Sequence, residues 1–184
     1  MKIEIIIGIL WIVYGTLHSV LASNEVKNKI NFPYYRLVYT ILSLVLMIPI
    51  LYFQLTTPSQ LLMPASTANN IFGGLMISLG VYMLFISFKQ YDLKAFLGIQ
   101  AEAPAQLITD GIMSVVRHPL YLSTLVIVWG VFGITGTANN LAMALALTAY
   151  IRIGIYFEEK KLVQIFGKTY EKYQKEVPML IPKL

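Results

Sequence analysis

The chain has 184 residues, 57% hydrophobic and only 12% charged, with a formal net charge of +5. A soluble domain of this size cannot bury that much apolar surface, so lipid must be part of its solvent. The absence of cysteine excludes disulfides, thiolate metal sites and cysteine nucleophiles. With two histidines no transition-metal site is expected, and no basic run interleaved with aromatics points to nucleic acid.

Five apolar stretches follow in chain order, at about residues 3–22, 35–55, 69–88, 120–136 and 139–156, each near the roughly 20 residues that cross a bilayer as a helix. The first also reads as a signal peptide, since Lys2 precedes an apolar run; Glu4, Trp11, Tyr14 and His18 argue against that reading. The fourth is the shortest and is joined to the fifth through Gly133, Gly136, Asn139 and Asn140, so the last two read as a helical hairpin. Gly73, Gly74, Gly130, Gly133 and Gly136 suit close helix contacts. The expected fold is all-α: a single integral membrane domain over residues 1–184, with five transmembrane helices and an amphipathic cytoplasmic C-terminal helix.

Charge sets the expected orientation. Thirteen of the fourteen basic residues fall after the first span, between the third and fourth, or after the fifth, and only Lys2 falls outside. The connections from Thr56 to Asn70 and from Ile134 to Asn140 carry no charge. By the positive-inside rule the N-terminus is outside and the C-terminus cytoplasmic; a bacterial-type inner membrane is the expected location. The polar mass then lies in two cytoplasmic segments, residues 89–119 and 157–184, and any site should form where these meet the bilayer.

In the first polar segment, residues 89–98 suggest a short amphipathic helix ended by Gly98, then a loop with Pro104. Arg117, His118 and Tyr121 surround Pro119, a residue suited to the first turn of the fourth membrane helix. This group reads equally as a ligand site or as a snorkelling anchor with an interfacial tyrosine. In the second segment Glu159, Leu162, Phe166, Tyr170, Tyr173 and Val177 recur every three or four residues, the stripe of an amphipathic helix lying at the membrane surface. Glu158 and Glu159, adjacent acids at a low-dielectric boundary, need cations or donors. Those are Lys160 or Lys161 on the same helix, or else Arg117, His118 or a cationic ligand. His18, near the inner end of the first span, reads as hydrogen-bonded structure or as a substrate contact.

The run from Gly111 through Arg117, His118, Pro119 and Tyr121, then Glu158, Glu159, Leu162, Phe166, Gly167, Tyr170, Tyr173, Val177, Pro178 and Pro182, resembles the membrane methyltransferase family that includes isoprenylcysteine carboxyl methyltransferase and bacterial phospholipid methyltransferases. Leu17, His18 and Ser19, then Tyr35, Arg36 and Tyr39, then Tyr91, Asp92, Phe96 and Gly98, resemble the branch of methanethiol S-methyltransferases and NnrU-like proteins. The resemblance implies S-adenosylmethionine as cofactor, bound by Arg117, His118, Pro119, Tyr121, Glu158 and Glu159. It implies His118 as a base where the acceptor arrives protonated, Arg152 orienting the acceptor or the glutamates, and His18 and Tyr91 as substrate contacts. The acceptor would be an apolar thiol, carboxylate, amine or lipid headgroup entering from the bilayer. Replacing Glu159 with glutamine would then weaken cofactor binding more than folding. Two other readings stand beside this one: an NADPH-dependent membrane reductase of the sterol reductase type, and a non-catalytic membrane scaffold.

Overall fold

A computed structural model describes residues 2–32, 34–91, 94, 97, 99–100 and 106–183, the side chain of Asn24 excepted. The helices are α1 (Ile3–Ala22), α2 (Asn24–Ile30), α3 (Tyr35–Thr56), α4 (Thr67–Phe88), α5 (Pro119–Thr135), α6 (Ala138–Phe166) and α7 (Lys168–Glu176), with a 3-10 turn at Gly111–Ser114. Among the described residues there are no strands beyond one isolated bridge between Leu61 and Thr137. The amphipathic helix expected over residues 89–98 and the loop with Pro104 fall largely outside the described residues.

Among the described residues four helices, α1, α3, α4 and α6, are long and apolar enough to cross a membrane. Between 11% and 33% of each such span is buried inside the protein, and side chains such as Ile48, Leu55, Phe72 and Leu75 stand exposed. Faces of that extent require lipid. The fourth expected span, α5, has 17 residues and so rises about 25 Å, short of a hydrocarbon core of about 30 Å.

Local chemistry sets the ends of these helices. Ser23 closes α1 and caps α2, its hydroxyl accepting from the Val26 amide at 3.4 Å. Ser66 caps α4 through the Asn69 amide at 3.1 Å, leaving fewer orphan donors in that first turn. Pro119 opens α5, where its missing N–H costs nothing. The fifth expected span does not stop at residue 156: α6 runs on without a break to Phe166, carrying Glu158 and Glu159 past the apolar stretch on one rigid rod.

The expected C-terminal amphipathic stripe is divided. Gly167 has φ 56 and ψ −134, a conformation closed to residues with a Cβ, and the chain turns there into α7. The face predicted to lie on the bilayer is folded onto protein instead: Tyr170, Tyr173 and Val177 are buried against Leu107, Leu162, Val163 and Phe166. Helical spacing alone continues through a glycine, which is why the sequence suggested one helix.

At one end of the bundle the two uncharged connections meet. The Leu62 and Met63 amides donate to the Gly136 carbonyl at 2.7 and 3.1 Å, and the Ala138 amide to that of Gln60 at 2.9 Å. Beneath them Trp11 Nε1 donates to Gln54 Oε1 at 2.6 Å, Gln54 Nε2 to Asn140 Oδ1 at 2.6 Å, and Asn140 Nδ2 to Thr135 Oγ1 at 2.8 Å. This neutral chain ties α1, α3, α5 and α6 around a core of Ile7, Trp11, Val128, Met143, Ala144 and Ala146.

The longest seam runs between α4 and α5, where Gly73 and Gly130 face each other. A Cβ on Gly73 would stand 2.6 Å from the Gly130 carbonyl oxygen, and one on Gly130 2.9 Å from that of Gly73. A Cβ on Gly74 meets nothing within 4 Å, so of that expected pair only Gly73 makes the contact. Gly130→Val should therefore lower stability by about 1–3 kcal/mol through overpacking, whereas Gly74→Ala should leave it unchanged or slightly raised; thermal unfolding in detergent micelles separates the two.

Candidate active site

At the opposite end of the bundle from the uncharged turns, the loop before α5 meets the C-terminal end of α6 and the C-terminal segment. Two backbone bonds zip loop to tail: the Arg117 amide donates to the Pro178 carbonyl at 2.9 Å and the His118 amide to that of Met179 at 3.2 Å. The Tyr173 hydroxyl donates to the Met113 carbonyl at 2.5 Å. Arg117, His118 and Pro119 are thereby fixed against α6, although they lie some 40 residues from its carboxylates in sequence.

The centre is an ion pair. Arg117 Nη2 stands 2.5 Å from Glu159 Oε1, with side-chain exposures of 7% and 12%, and Nε donates to the same oxygen at 2.7 Å. Arg117 Nη1 donates to the Gln174 carbonyl at 3.0 Å and to the Val177 carbonyl. Glu159 also meets His118 Nε2 at 3.2 Å, the Tyr170 hydroxyl at 3.5 Å and Gln174 Nε2 at 3.2 Å. Every partner of this carboxylate can donate, the environment of an ionised group. Arg117 and Glu159 thus satisfy each other within the protein.

Glu158 is placed differently. Successive residues of a helix diverge by about 100°, so while Glu159 turns to Arg117, Glu158 turns to the opening of α5. There the His118 ring stacks on Tyr121, centroids 5.7 Å apart and planes at 27°, and His118 Nδ1 stands 3.9 Å from Glu158 Oε2. Glu158 acts electrostatically on both Tyr121 and Tyr91. Its Oε2 is buried and has no hydrogen-bond partner. An acceptor left in that state costs roughly 1–3 kcal/mol, which marks it as a place for a ligand donor.

Tyrosines line the rest of the cluster. Burial, then the charge of Glu158, then Tyr173 push the Tyr91 phenol up to about 12. Burial and the Glu159 carboxylate raise Tyr170 despite Arg117, and burial raises Tyr173 against the pull of Arg117.

Of the residues expected from sequence, Arg117, His118, Pro119, Tyr121, Glu158, Glu159 and Tyr91 come together. Arg152 lies exposed beside the tail, Nη1 at 3.2 Å from Met179 Sδ. His18 belongs to a separate group on α1 and α3, with Nδ1 at 2.9 Å from Ser43 Oγ and the ring between Tyr14 and Tyr39. Lys160 and Lys161, weighed as partners for the glutamates, are exposed. Gln174 was not anticipated: it serves through both side chain and carbonyl, and its position three residues before Val177 in the aromatic stripe was the available signal.

A family model described as phospholipid methyltransferase matches residues 68–169, a range holding Tyr91, Arg117, His118, Tyr121, Glu158 and Glu159. Methanethiol S-methyltransferase 2 of Bradyrhizobium diazoefficiens is 45% identical over 76 residues, which are 41% of this chain and 29% of that protein. Methanethiol S-methyltransferase of Pseudomonas deceptionensis is 45% identical over 76 residues, 41% of this chain and 28% of that protein. Protein-S-isoprenylcysteine O-methyltransferase of Schizosaccharomyces pombe is 39% identical over 77 residues, 41% of this chain and 33% of that protein. The match thus spans about a third or less of these relatives' length. No solved structure matches the chain.

Removing one partner of a buried ion pair strands the other, at about 3–5 kcal/mol. Arg117→Ala and Glu159→Gln should both release α7 and the tail, seen as faster proteolysis after Gly167 and a lower melting temperature. Arg117→Lys should not rescue, because a lysine lacks the fork that reaches Glu159 and two carbonyls together. In a difference titration against Tyr91→Phe, the Tyr91 phenol should show no ionisation below about pH 11.

Proposed function

Since this chain belongs to the phospholipid methyltransferase family, whose model covers more than half of it, we propose that it is an S-adenosylmethionine-dependent methyltransferase acting on an apolar acceptor at the cytoplasmic membrane boundary. The carrying observation is the unpartnered Oε2 of Glu158, set beside the His118–Tyr121 stack within a cluster that the Arg117–Glu159 pair holds rigid. That donor set fits the cofactor. Its ammonium or ribose hydroxyls would supply the donors Glu158 lacks, and its sulfonium favours an aromatic face such as Tyr121.

When bound, the cofactor supplies an already activated methyl group, so the protein's tasks are orientation and exclusion of water. Glu158 and Tyr121 hold the donor; Pro119 and the zip to the tail fix the ring of His118. His118 Nε2 is taken by Glu159 at 3.2 Å, which leaves Nδ1 as the nitrogen that receives a proton from a protonated acceptor. Arg117 acts through Glu159 and the tail, and Arg152, exposed beside the tail, orients the acceptor or the glutamates. Thirteen of fourteen basic residues on the side of this cluster support an outside N-terminus, a cytoplasmic C-terminus and five crossings, α5 included.

S-adenosylhomocysteine at about 100 times its Kd should stabilise the protein by about 2.7 kcal/mol, read as a rise in melting temperature, while NADPH should give no rise. Glu158→Gln should weaken S-adenosylhomocysteine binding about tenfold or more, since a bond to a charged acceptor becomes one to a neutral amide. A protein stabilised by NADPH alone would return the reading to a reductase, and one stabilised by neither to a scaffold.

A further inference from the structure

His118 stands between two carboxylates that hold it unequally. Its Nε2 meets Glu159 Oε1 at 3.2 Å, whereas Nδ1 stops 3.9 Å from Glu158 Oε2, and that oxygen is the buried one without a hydrogen-bond partner. A single protonation state fits both distances. A neutral imidazole carries one N–H; with that hydrogen on Nε2 and given to Glu159, Nδ1 presents a lone pair to Oε2, a second acceptor. No proton lies between them, so they stay beyond bonding reach. A proton added to Nδ1 makes the ring a donor on both sides, and a charge-assisted bond of about 2.8 Å then requires Oε2 to move by about 1 Å.

The surroundings allow that movement to one partner alone. The ring is fixed: its side chain is 4% exposed, Tyr121 stacks on it, and its own amide is tied to the Met179 carbonyl. Glu159 is pinned by Arg117, Tyr170 and Gln174. Glu158 lies on the open side, its side chain 41% exposed, facing Tyr121 and Tyr91. The charged and titratable groups about the ring are therefore the two glutamates of α6, Tyr121 of α5, Tyr170 of α7, Tyr91 beyond α4 and the adjoining Arg117, a cation already paired with Glu159.

We propose that His118 and the bound cofactor compete for Glu158 Oε2, so that the proton His118 takes up during methyl transfer draws Glu158 away and releases the spent cofactor. The inference rests on the methyltransferase reading and adds a release step to that same site. In the transfer, the bond from acceptor to methyl carbon forms as that from methyl carbon to donor sulfur breaks. The electron pair of the broken bond stays on sulfur, which becomes a neutral thioether, and the acceptor's proton passes to His118 Nδ1. One positive charge has left the cofactor and one has appeared on the ring. Glu158 follows the charge, because a carboxylate favours whichever neighbour is cationic. Loss of the proton to water at the exposed side of Glu158 then resets the site.

Competition for one oxygen ties cofactor affinity to the proton on one ring, and by linkage the cofactor must weaken proton binding there by the same factor. Histidine is the side chain that ordinarily changes charge between about pH 5 and 8. The chain has two, so a His18→Gln background leaves one ring to follow. With S-adenosylhomocysteine as probe and no turnover, calorimetry in two buffers of different ionisation enthalpy should count about one proton released per molecule bound on the acid side of the His118 transition, and none on the alkaline side. One pH unit below the transition, affinity should be about tenfold weaker than at its alkaline limit. The His118 ring resonances, followed by NMR in detergent micelles, should show the transition move to lower pH on binding, a readout that needs no substitution of His118. His118→Gln should bind with an affinity independent of pH over the same range. Affinity that stays flat across the His118 transition, proton uptake in place of release, or release that persists in His118→Gln would each overturn the proposal. No binding of S-adenosylhomocysteine at any pH would instead overturn the methyltransferase reading beneath it.

Discussion

One end of this bundle depends on one buried ion pair. Arg117 and Glu159 are 7% and 12% exposed, and taking two charges out of water costs several kcal/mol each unless every donor and lone pair finds a partner. Here they do. The guanidinium reaches a carboxylate and two carbonyls, and the carboxylate gathers an arginine, a histidine, a tyrosine and a glutamine. Because those partners come from the loop before α5, from α6 and from the α7 tail, satisfying the pair fixes the relative placement of all three. A hydrophobic contact of the same area would allow sliding; a fork that must meet fixed carbonyls does not.

On the proposed reading the adjacent glutamates divide two tasks. Glu159 is saturated, so it can brace the site but has little capacity left for a ligand. Glu158, about 100° further round the same helix, is anchored by its neighbour's bonds yet keeps a buried oxygen free. The cost of leaving that oxygen unpaired is borne by the ion pair beside it, and a polar ligand would recover it. The sequence-based expectation gives both acids and the arginine to the cofactor; in the structure Arg117 and Glu159 pair with each other, while Glu158 Oε2 has no hydrogen-bond partner.

What was legible in the sequence follows from what leaves a local mark. Long apolar runs marked the helices, uncharged connections marked one end, and the Arg117–His118–Pro119 and Glu158–Glu159 runs marked the residues that cluster at the other. The break at Gly167 was hidden because the apolar spacing continues on both sides of it, and only a backbone with φ 56 and ψ −134 reveals the turn. The partners of Arg117 were hidden because backbone carbonyls have no sequence signature. Gly73 and Gly74 are indistinguishable by type, yet one touches the Gly130 carbonyl and the other touches nothing. The chain from Trp11 through Gln54 and Asn140 to Thr135 joins residues far apart in sequence, and no spacing rule could pair them.

The two ends of the bundle use polar groups of different kinds, and the difference has a physical cause. Where the connections carry no charge, helices are tied by neutral amides, an indole and hydroxyls, whose burial costs a few kcal/mol only if they are left unpaired and never approaches that of an ion. Where the basic residues gather, the tie is an ion pair. Water at that boundary can solvate the exposed parts of Arg152 and Glu158 while leaving Arg117 and Glu159 dry. On the proposed reading a charged methyl donor and an apolar acceptor share no common solvent except this boundary. On that reading the ion pair therefore sits at the depth where a rigid polar clamp and an apolar approach can coexist. Placed deeper, the clamp would bear the full desolvation of its charges, and placed further into water, the cluster would no longer be reachable from lipid.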